Sequence, residues 1–485
     1  MSLTRTVALN TIVQLIGRVI TTASSLVVVG ALTRYLGVAG YGQYTTIFAY
    51  VAFLAVLADS GFFWIMLREL SRENVDASSI ASNVLTLKFV LGLVFFALGS
   101  LVAFFIPQYA GVIRSGIAIV SFGWLWMSLN STFVGVFQVR HRMDQAVITD
   151  IVGRLVTLTG VLWLIAHSGT LPQIMAAYVL GNIVNLAASL LLGRQFIRVR
   201  PQFDFVLWRK LFLKAWPMGI VIILGSIYFK IDTVMLSLMK SSVEVGIYGA
   251  PYKILEVLLT VPIMFLGNIF PTMTRYLEAK DDRLERIFQR ALDTLLILAL
   301  PIVIGTIILA KPILLFVAGG QYVTTSTILI FGQPATGVLA LQILIVAVGI
   351  YFISNLFNYL LIADGRQREL IAPNILFVIV NVGANLIAIP KLSYIGTSLT
   401  TVLTEIVITI VLGWMVYRRL GLRPQVNQAG RILISTLGMG GVVWLLRDSP
   451  LLIAVAAGVV SYMALLVYTR VVTKDLLQSL RGARL

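Results

Sequence analysis

The feature that most constrains this chain is the recurrence of apolar blocks about 20 residues long, the length at which an α-helix crosses a hydrocarbon core of about 30 Å. In hydrocarbon every backbone amide and carbonyl must be bonded within its own segment, so such blocks fold as helices. Composition leaves no other solvent for them. Of the 485 residues 59% are hydrophobic and only 12% charged, too few polar groups to coat a soluble body of this size. The apolar runs place spans near residues 10–33, 42–66, 82–105, 113–138, 147–166, 173–193, 215–238, 248–271, 291–310, 337–361, 370–389, 395–417, 430–446 and 451–470. The expected fold class is therefore an all-α membrane protein with about 14 transmembrane helices.

Several chemistries drop out at once. The chain has no cysteine, so disulfides, thiolate metal sites and a cysteine nucleophile are excluded. Its two histidines, His141 and His167, lie far apart and argue against a histidine metal centre. No metal or cofactor is expected. The opening MSLTRTVALNTIVQL lacks a short apolar run ending in a small-residue cleavage site and reads as a retained first helix.

The formal charge of +17 would suit nucleic acid, but its placement argues against that partner. Counted by alternate loops, 26 of the 37 basic residues fall on one side, among them Arg194, Arg198, Arg200, Arg209, Lys210 and Lys214. Six fall on the other: Arg34, Arg114, Lys240, Lys311, Lys391 and Arg447. Five lie inside spans: Arg18, Lys88, Arg154, Lys230 and Lys253. This asymmetry is the positive-inside pattern, and it predicts a multi-pass protein of the inner (plasma) membrane with both termini in the cytoplasm. No loop is long enough for a soluble domain. The stretches 194–214 and 272–290 read as amphipathic pieces along the membrane surface, and 311–336, broken by Gly319, Gly320 and Pro334, as an external loop or re-entrant piece.

An internal echo suggests how the spans are grouped. Span 2 opens with GYGQY and span 8 with GIYGAPY, and in each the Tyr-Gly glycine (Gly42, Gly249) precedes an arginine (Arg68, Arg275) by 26 residues. Six spans separate the copies, so both would cross in the same sense. The expectation is two parallel six-helix lobes, residues 1–213 and 214–425, followed by a helix pair and tail over 426–485. Chance is the competing explanation, since glycine at a helix start and arginine at its cytoplasmic end are both common.

Polar residues inside spans carry most of the functional information, because an unsupported charge there costs about 2.5–3.5 kcal/mol or more. Thr11, Gln14, Arg18, Thr21 and Ser25 share one face of span 1, and Ser226, Lys230, Thr233 and Ser237 one face of span 7. Each stripe sets one cation among polar side chains, as expected of helices lining an aqueous cavity that receives an anion; helix–helix hydrogen bonding with a snorkelling base is the structural alternative. Lys253 and Glu256, three apart, are an ion pair or a cavity pair, and Asp150 and Arg154, four apart, fit an intrahelical pair better. Asp59, Asp232 and Glu405 have no opposite charge near in sequence on their own face, leaving an ion pair between helices or a proton or sodium site open. Asn381 and Asn385 share a face of span 11, either joining helices or binding sugar.

At three places the chain resembles the Wzx-type polysaccharide flippases, of the superfamily that includes lipid II flippases and multidrug and toxin extruders: RYLGVAGYGQY (Arg34–Tyr44), VGIYGAPYKI (Val245–Ile254, after Asp232) and NVGANLIAIPKLSYIGTSLTTVLTE (Asn381–Glu405). The resemblance implies a central cationic cavity and alternating access that moves an undecaprenyl-pyrophosphate-linked oligosaccharide from the cytoplasmic to the outer leaflet for surface polysaccharide biosynthesis. It places the family's cavity cations at Arg18 and Lys230, gives the last two helices a role with the lipid tail, and implies a polysaccharide polymerase and glycosyltransferases as partners. A cation-coupled multidrug extruder and a lipid II flippase are the rivals within the superfamily. A membrane-embedded glycosyltransferase or polymerase is the rival of another class. Such an enzyme needs an acid, base or metal site in a substantial loop; here loops are short, and Asp281 and Asp282 sit among Lys280, Arg283 and Arg286 as a solvated charge run. A non-enzymatic carrier is expected.

Overall fold

The computed structural model describes residues 3–59, 61–72, 75–109, 111–279, 281–330, 332–425 and 428–471, with side chains from residue 13 apart from those of 15, 217, 218, 221 and 222. The order is α1 (Leu3–Asp59), α2 (Phe62–Leu70), α3 (Ala77–Phe105), α4 (Val112–Val139), α5 (Met143–Ala166), α6 (Leu171–Gly193), α7 (Phe205–Met239), α8 (Ser242–Leu258), α9 (Thr260–Glu278), α10 (Arg283–Val317), α11 (Gln321–Thr324), the two-residue strands β1 (Leu329–Ile330) and β2 (Gln333–Pro334), α12 (Gly337–Ala363), α13 (Ile371–Leu420), α14 (Ala429–Leu445) and α15 (Leu451–Tyr468). Among the described residues ten helical stretches are long and apolar enough to cross a membrane, and large apolar side chains such as Phe105, Leu445 and Leu452, each at least 74% exposed, face outward. Only lipid makes that surface affordable.

Local sequence explains the breaks. α1 is two legs joined at Gly37, whose φ of 65° and ψ of −176° belong to a region essentially closed to residues with a Cβ. α13 likewise bends after Pro390, which lacks an amide hydrogen, with Ser393 held at φ 48°. With these kinks the helical legs correspond to the fourteen predicted spans, from span 1 in the first leg of α1 to span 14 in α15.

Two details differ from the sequence reading. Helix α7 begins ten residues before its predicted span, because Asp204 caps it, accepting from the amides of Val206 and Leu207 at 3.0 and 2.9 Å. Helix α10 extends from Arg283 to Val317, so Lys311 is helical and the expected loop at 311–336 reduces to a helix end, the single turn of α11 and the β1–β2 pair. By compactness the described chain divides after Gly246, and α7 packs with α1 and α2.

In the first unit, residues 1–246, one apolar core gathers Phe62, Met66, Leu129, Phe133, Phe137 and Ala215, and another Ile47, Val51, Tyr109, Ile117 and Met175. Backbones approach closely where the GYGQY motif meets the start of α8. A Cβ added to Gly42 would lie 1.7 Å from the Ser242 carbonyl oxygen, and one on Gly246 2.0 Å from that of Val38. Glycine is required there by contact. In the second unit, residues 247–485, α12 packs against α10 and α13. The α14–α15 pair docks on α10 through Leu309, Ile432, Met439, Val443 and Ala454, fastened by the Tyr462 hydroxyl donating to the Ile297 carbonyl at 2.9 Å.

Candidate functional site

On the first leg of α1, Gln14 and Arg18 are exposed, beside Gly17, where a Cβ would lie 2.4 Å from Val147 Cγ1 of α5. The α1–α5 contact thus occupies the neighbouring face and leaves Arg18 on an open one. Thr21 turns inward, donating to the Arg18 carbonyl at 3.1 Å, and Ser25 is half-buried. The side chain of Thr11 lies outside those described. On α7 the polar stripe runs from half-buried Ser226 and Lys230 to buried Thr233 and Ser237. Ser237 shares a 2.7 Å hydrogen bond with the buried Tyr109 hydroxyl, and Asp232 is 2% exposed. A carboxylate so enclosed needs bonded support, since desolvation otherwise costs several kcal/mol.

Asp59 belongs to an ion pair between helices. Lys88 of α3 reaches its Oδ1 at 2.5 Å and donates to Ser131 Oγ of α4 at 2.7 Å. The lysine side chain is 0% exposed and the aspartate 36%, so the cation is sealed and the anion faces outward. Lys88 is therefore the buried counter-charge of a partly exposed Asp59, and is itself sealed from solvent. Reading Asp59 and Lys88 as opposite charges in neighbouring spans would have found the pair. Arg154 Nε lies 3.2 Å from Asp150 Oδ2 as the spacing predicts, with both side chains more than 40% exposed; such a pair contributes little.

In the second unit Lys253 Nζ and Glu256 Oε2 pair at 2.8 Å, each partly exposed. Asn381 and Asn385 are fully buried: Asn385 Nδ2 donates to Asn381 Oδ1 at 3.2 Å and Asn381 Nδ2 to Thr404 Oγ1 at 3.4 Å. The Asn381–Thr404 bond joins the two legs of α13, and the Asn385–Asn381 bond lies within the first. One residue further, Glu405, 3% exposed, accepts from Ser354 Oγ of α12 at 3.0 Å. Sequence spacing gave no means of finding Ser354, 51 residues away on another helix. Outside the spans, Asp281 accepts from the Arg283 side chain at 2.7 Å and its amide at 2.8 Å, which lowers its pKa to about 2, the side-chain bond acting most.

Helices with lipid-facing apolar surfaces, and with amides, carboxylates and a lysine held against one another inside, define a polytopic α-helical membrane protein. The particular family follows from sequence. The chain belongs to the polysaccharide biosynthesis protein family, whose model matches residues 7–277, more than half of its length. No curated protein matches it. Among solved structures it is similar to the lipid II flippase MurJ in an inward closed conformation, with a TM-score of 0.76 and 14% identity over 96% of this chain and 99% of that one. It is similar also to an inward-facing multidrug resistance MATE family transporter of the MOP superfamily, with a TM-score of 0.65 and 13% identity over 83% of this chain and 94% of the other. A third is a MOP superfamily transporter from Pyrococcus furiosus, with a TM-score of 0.60 and 16% identity over 86% and 95%. At these identities the likeness is one of fold.

Proposed function

We propose that this chain is a flippase that carries an undecaprenyl-pyrophosphate-linked oligosaccharide from the cytoplasmic to the outer leaflet of the inner membrane, as a step in surface polysaccharide biosynthesis. The observation that carries the reading is the match of residues 7–277 to the polysaccharide biosynthesis family, on a fold shared with a lipid II flippase over nearly the whole chain. Arg18 and Lys230 receive the pyrophosphate, since a dianion cannot leave water without fixed cations, and charge-assisted contacts to phosphate are among the stronger ones available. Gln14, Arg154, Lys253, Asn381 and Asn385 complete the substrate contacts, while Asp59, Asp232, Glu256 and Glu405 serve as charge partners or coupling sites. Alternating access moves the cargo and no bond is made or broken. The 26-to-6 division of basic residues supports cytoplasmic termini.

A second reading, lipid II itself as cargo, is favoured by the coverage of 96% and 99% against MurJ. Both are tested by deletion. Cells lacking the chain should accumulate lipid-linked oligosaccharide that stays inaccessible from outside, while peptidoglycan synthesis continues. Rescue of a lipid II flippase depletion by this chain would favour the second reading; an unchanged lipid-linked oligosaccharide pool would refute the first.

A further inference from the structure

The connection from α6 to α7 is a strap of unusual construction. From Ile197 to Asp204 the chain is extended along the first turns of α3, and its alternate amides donate to side chains there: Arg198 to Ser78 Oγ at 3.2 Å, Arg200 to Ser82 Oγ at 3.2 Å, Gln202 to Thr86 Oγ1 at 3.1 Å, and Asp204 to Asn83 Oδ1 at 3.0 Å. The match is geometric. Four helical residues rise about 6 Å and two extended residues about 6.6 Å, so hydroxyls at i, i+4 and i+8 of α3 meet every second amide of the strap. Pro201, which has no amide hydrogen, falls at a position that donates nothing. Gln202 closes the array, its Oε1 accepting from Asn83 Nδ2 at 2.9 Å.

An extended strap alternates its side chains. Ile197 is 3% exposed and joins with Val199 in the core around Phe133 and Phe137, whereas Arg198 and Arg200 are exposed on the opposite side. Immediately beyond, Phe203, Phe205 and Val206 are 61%, 71% and 66% exposed, and Arg209 and Lys210 share that outer face. Lys214 is engaged by Glu69 at 2.8 Å, but among the described residues no carboxylate pairs with Arg198, Arg200, Arg209 or Lys210. Fixed cations beside exposed aromatic rings are the chemistry that suits a membrane interface, the rings at the acyl boundary and the charges at the phosphates.

We propose that the strap and the first two turns of α7 form an edge that docks anionic phospholipid headgroups, with the hydroxyl ladder on α3 holding Arg198 and Arg200 at the phosphates. Complementary charge selects an anionic lipid over a zwitterionic one, and the pinned backbone makes the two arginines a preorganised pair. The inference rests on the membrane fold and is independent of which glycan is carried.

The test uses the full chain, with Gln195→Cys as the single thiol in a protein that has none, labelled with a fluorophore and reconstituted in vesicles containing brominated phosphatidylglycerol or brominated phosphatidylcholine. Phosphatidylglycerol should quench preferentially. Arg198→Gln/Arg200→Gln should lower its relative association constant roughly 30-fold, the effect of about 1 kcal/mol per lost charge. Ser78→Ala/Ser82→Ala/Thr86→Val keeps every charge; it should speed amide exchange at residues 198, 200 and 202 roughly tenfold and weaken the preference as well. An unchanged preference in the arginine variant would overturn the proposal whether or not the ladder variant folds. Loss of preference on adding inorganic pyrophosphate would also overturn it, assigning the edge to a diphosphate instead of lipid.

Discussion

The Asp59–Lys88–Ser131 cluster yields a prediction whose magnitude follows from its asymmetry. Lys88 is wholly enclosed and Asp59 is 36% exposed, so the two single removals are not equivalent. Asp59→Asn leaves an ammonium sealed in protein with only Ser131 for support, the situation in which breaking a buried pair costs about 3–5 kcal/mol. Lys88→Met leaves a carboxylate that water reaches, so its cost is about 1–2 kcal/mol after allowing for that screening. The double variant strands neither charge and should lie within about 1 kcal/mol of the unmodified protein, giving a coupling energy of at least about 3 kcal/mol. Detergent-titration unfolding of the purified variants measures all three differences. Additive effects, or an Asp59→Asn variant at least as stable as Lys88→Met, would refute the argument that the cation is the sealed partner.

Other outcomes follow from backbone and topology. Gly42→Ala should destabilise by about 2–3 kcal/mol in the same unfolding assay, since its Cβ would meet the Ser242 carbonyl oxygen at 1.7 Å, whereas Gly225→Ala, with nothing within 4 Å, should be neutral or stabilising. Equal effects would show that the close approach does not constrain that position. Ser393→Gly should stabilise by about 1 kcal/mol by relieving its φ of 48°; a loss of that size would mean that the serine side chain outweighs the strain. Single cysteines at Ser2, outside the described residues, and at Ser241 should label oppositely from outside the cell, and impermeant labelling of both would sink the assigned sidedness.

What was legible in the sequence is what a single helix determines. Spans 3 to 6 fall within a few residues of α3 to α6, because about 20 apolar residues between polar ends leave little freedom. The Asp150–Arg154 and Lys253–Glu256 pairs needed only helical spacing. What escaped depends on neighbours. Spacing alone left Asp59 open between a partner on another helix, which is Lys88, and an ion site, and it gave no pointer from Glu405 to Ser354 on α12; residues so far apart in sequence give no periodic signal. The first ten residues of α7 fall in the stretch 194–214, read as an amphipathic surface piece because Arg209, Lys210 and Lys214 depress hydropathy; Asp204 caps that piece as the start of the spanning helix itself. The strap was invisible because it has no periodicity of its own: its register is set by Ser78, Ser82 and Thr86, which look like ordinary small residues at the start of a span.

The central claim is that fixed cations in this fold carry a lipid-linked pyrophosphate across the membrane, and the most direct measurement is translocation by the purified protein. Vesicles carrying an undecaprenyl-pyrophosphate-linked oligosaccharide, with and without the full-length chain, are exposed to an impermeant glycosidase, and the glycan that becomes cleavable is followed in time. The account predicts protein-dependent exposure beyond the half initially facing outward, with Arg18→Gln and Lys230→Gln each slowing it at least roughly tenfold at equal reconstitution, the loss expected of one charge-assisted phosphate contact. Exposure no faster than in protein-free vesicles, or unmodified rates in both variants, would contradict it.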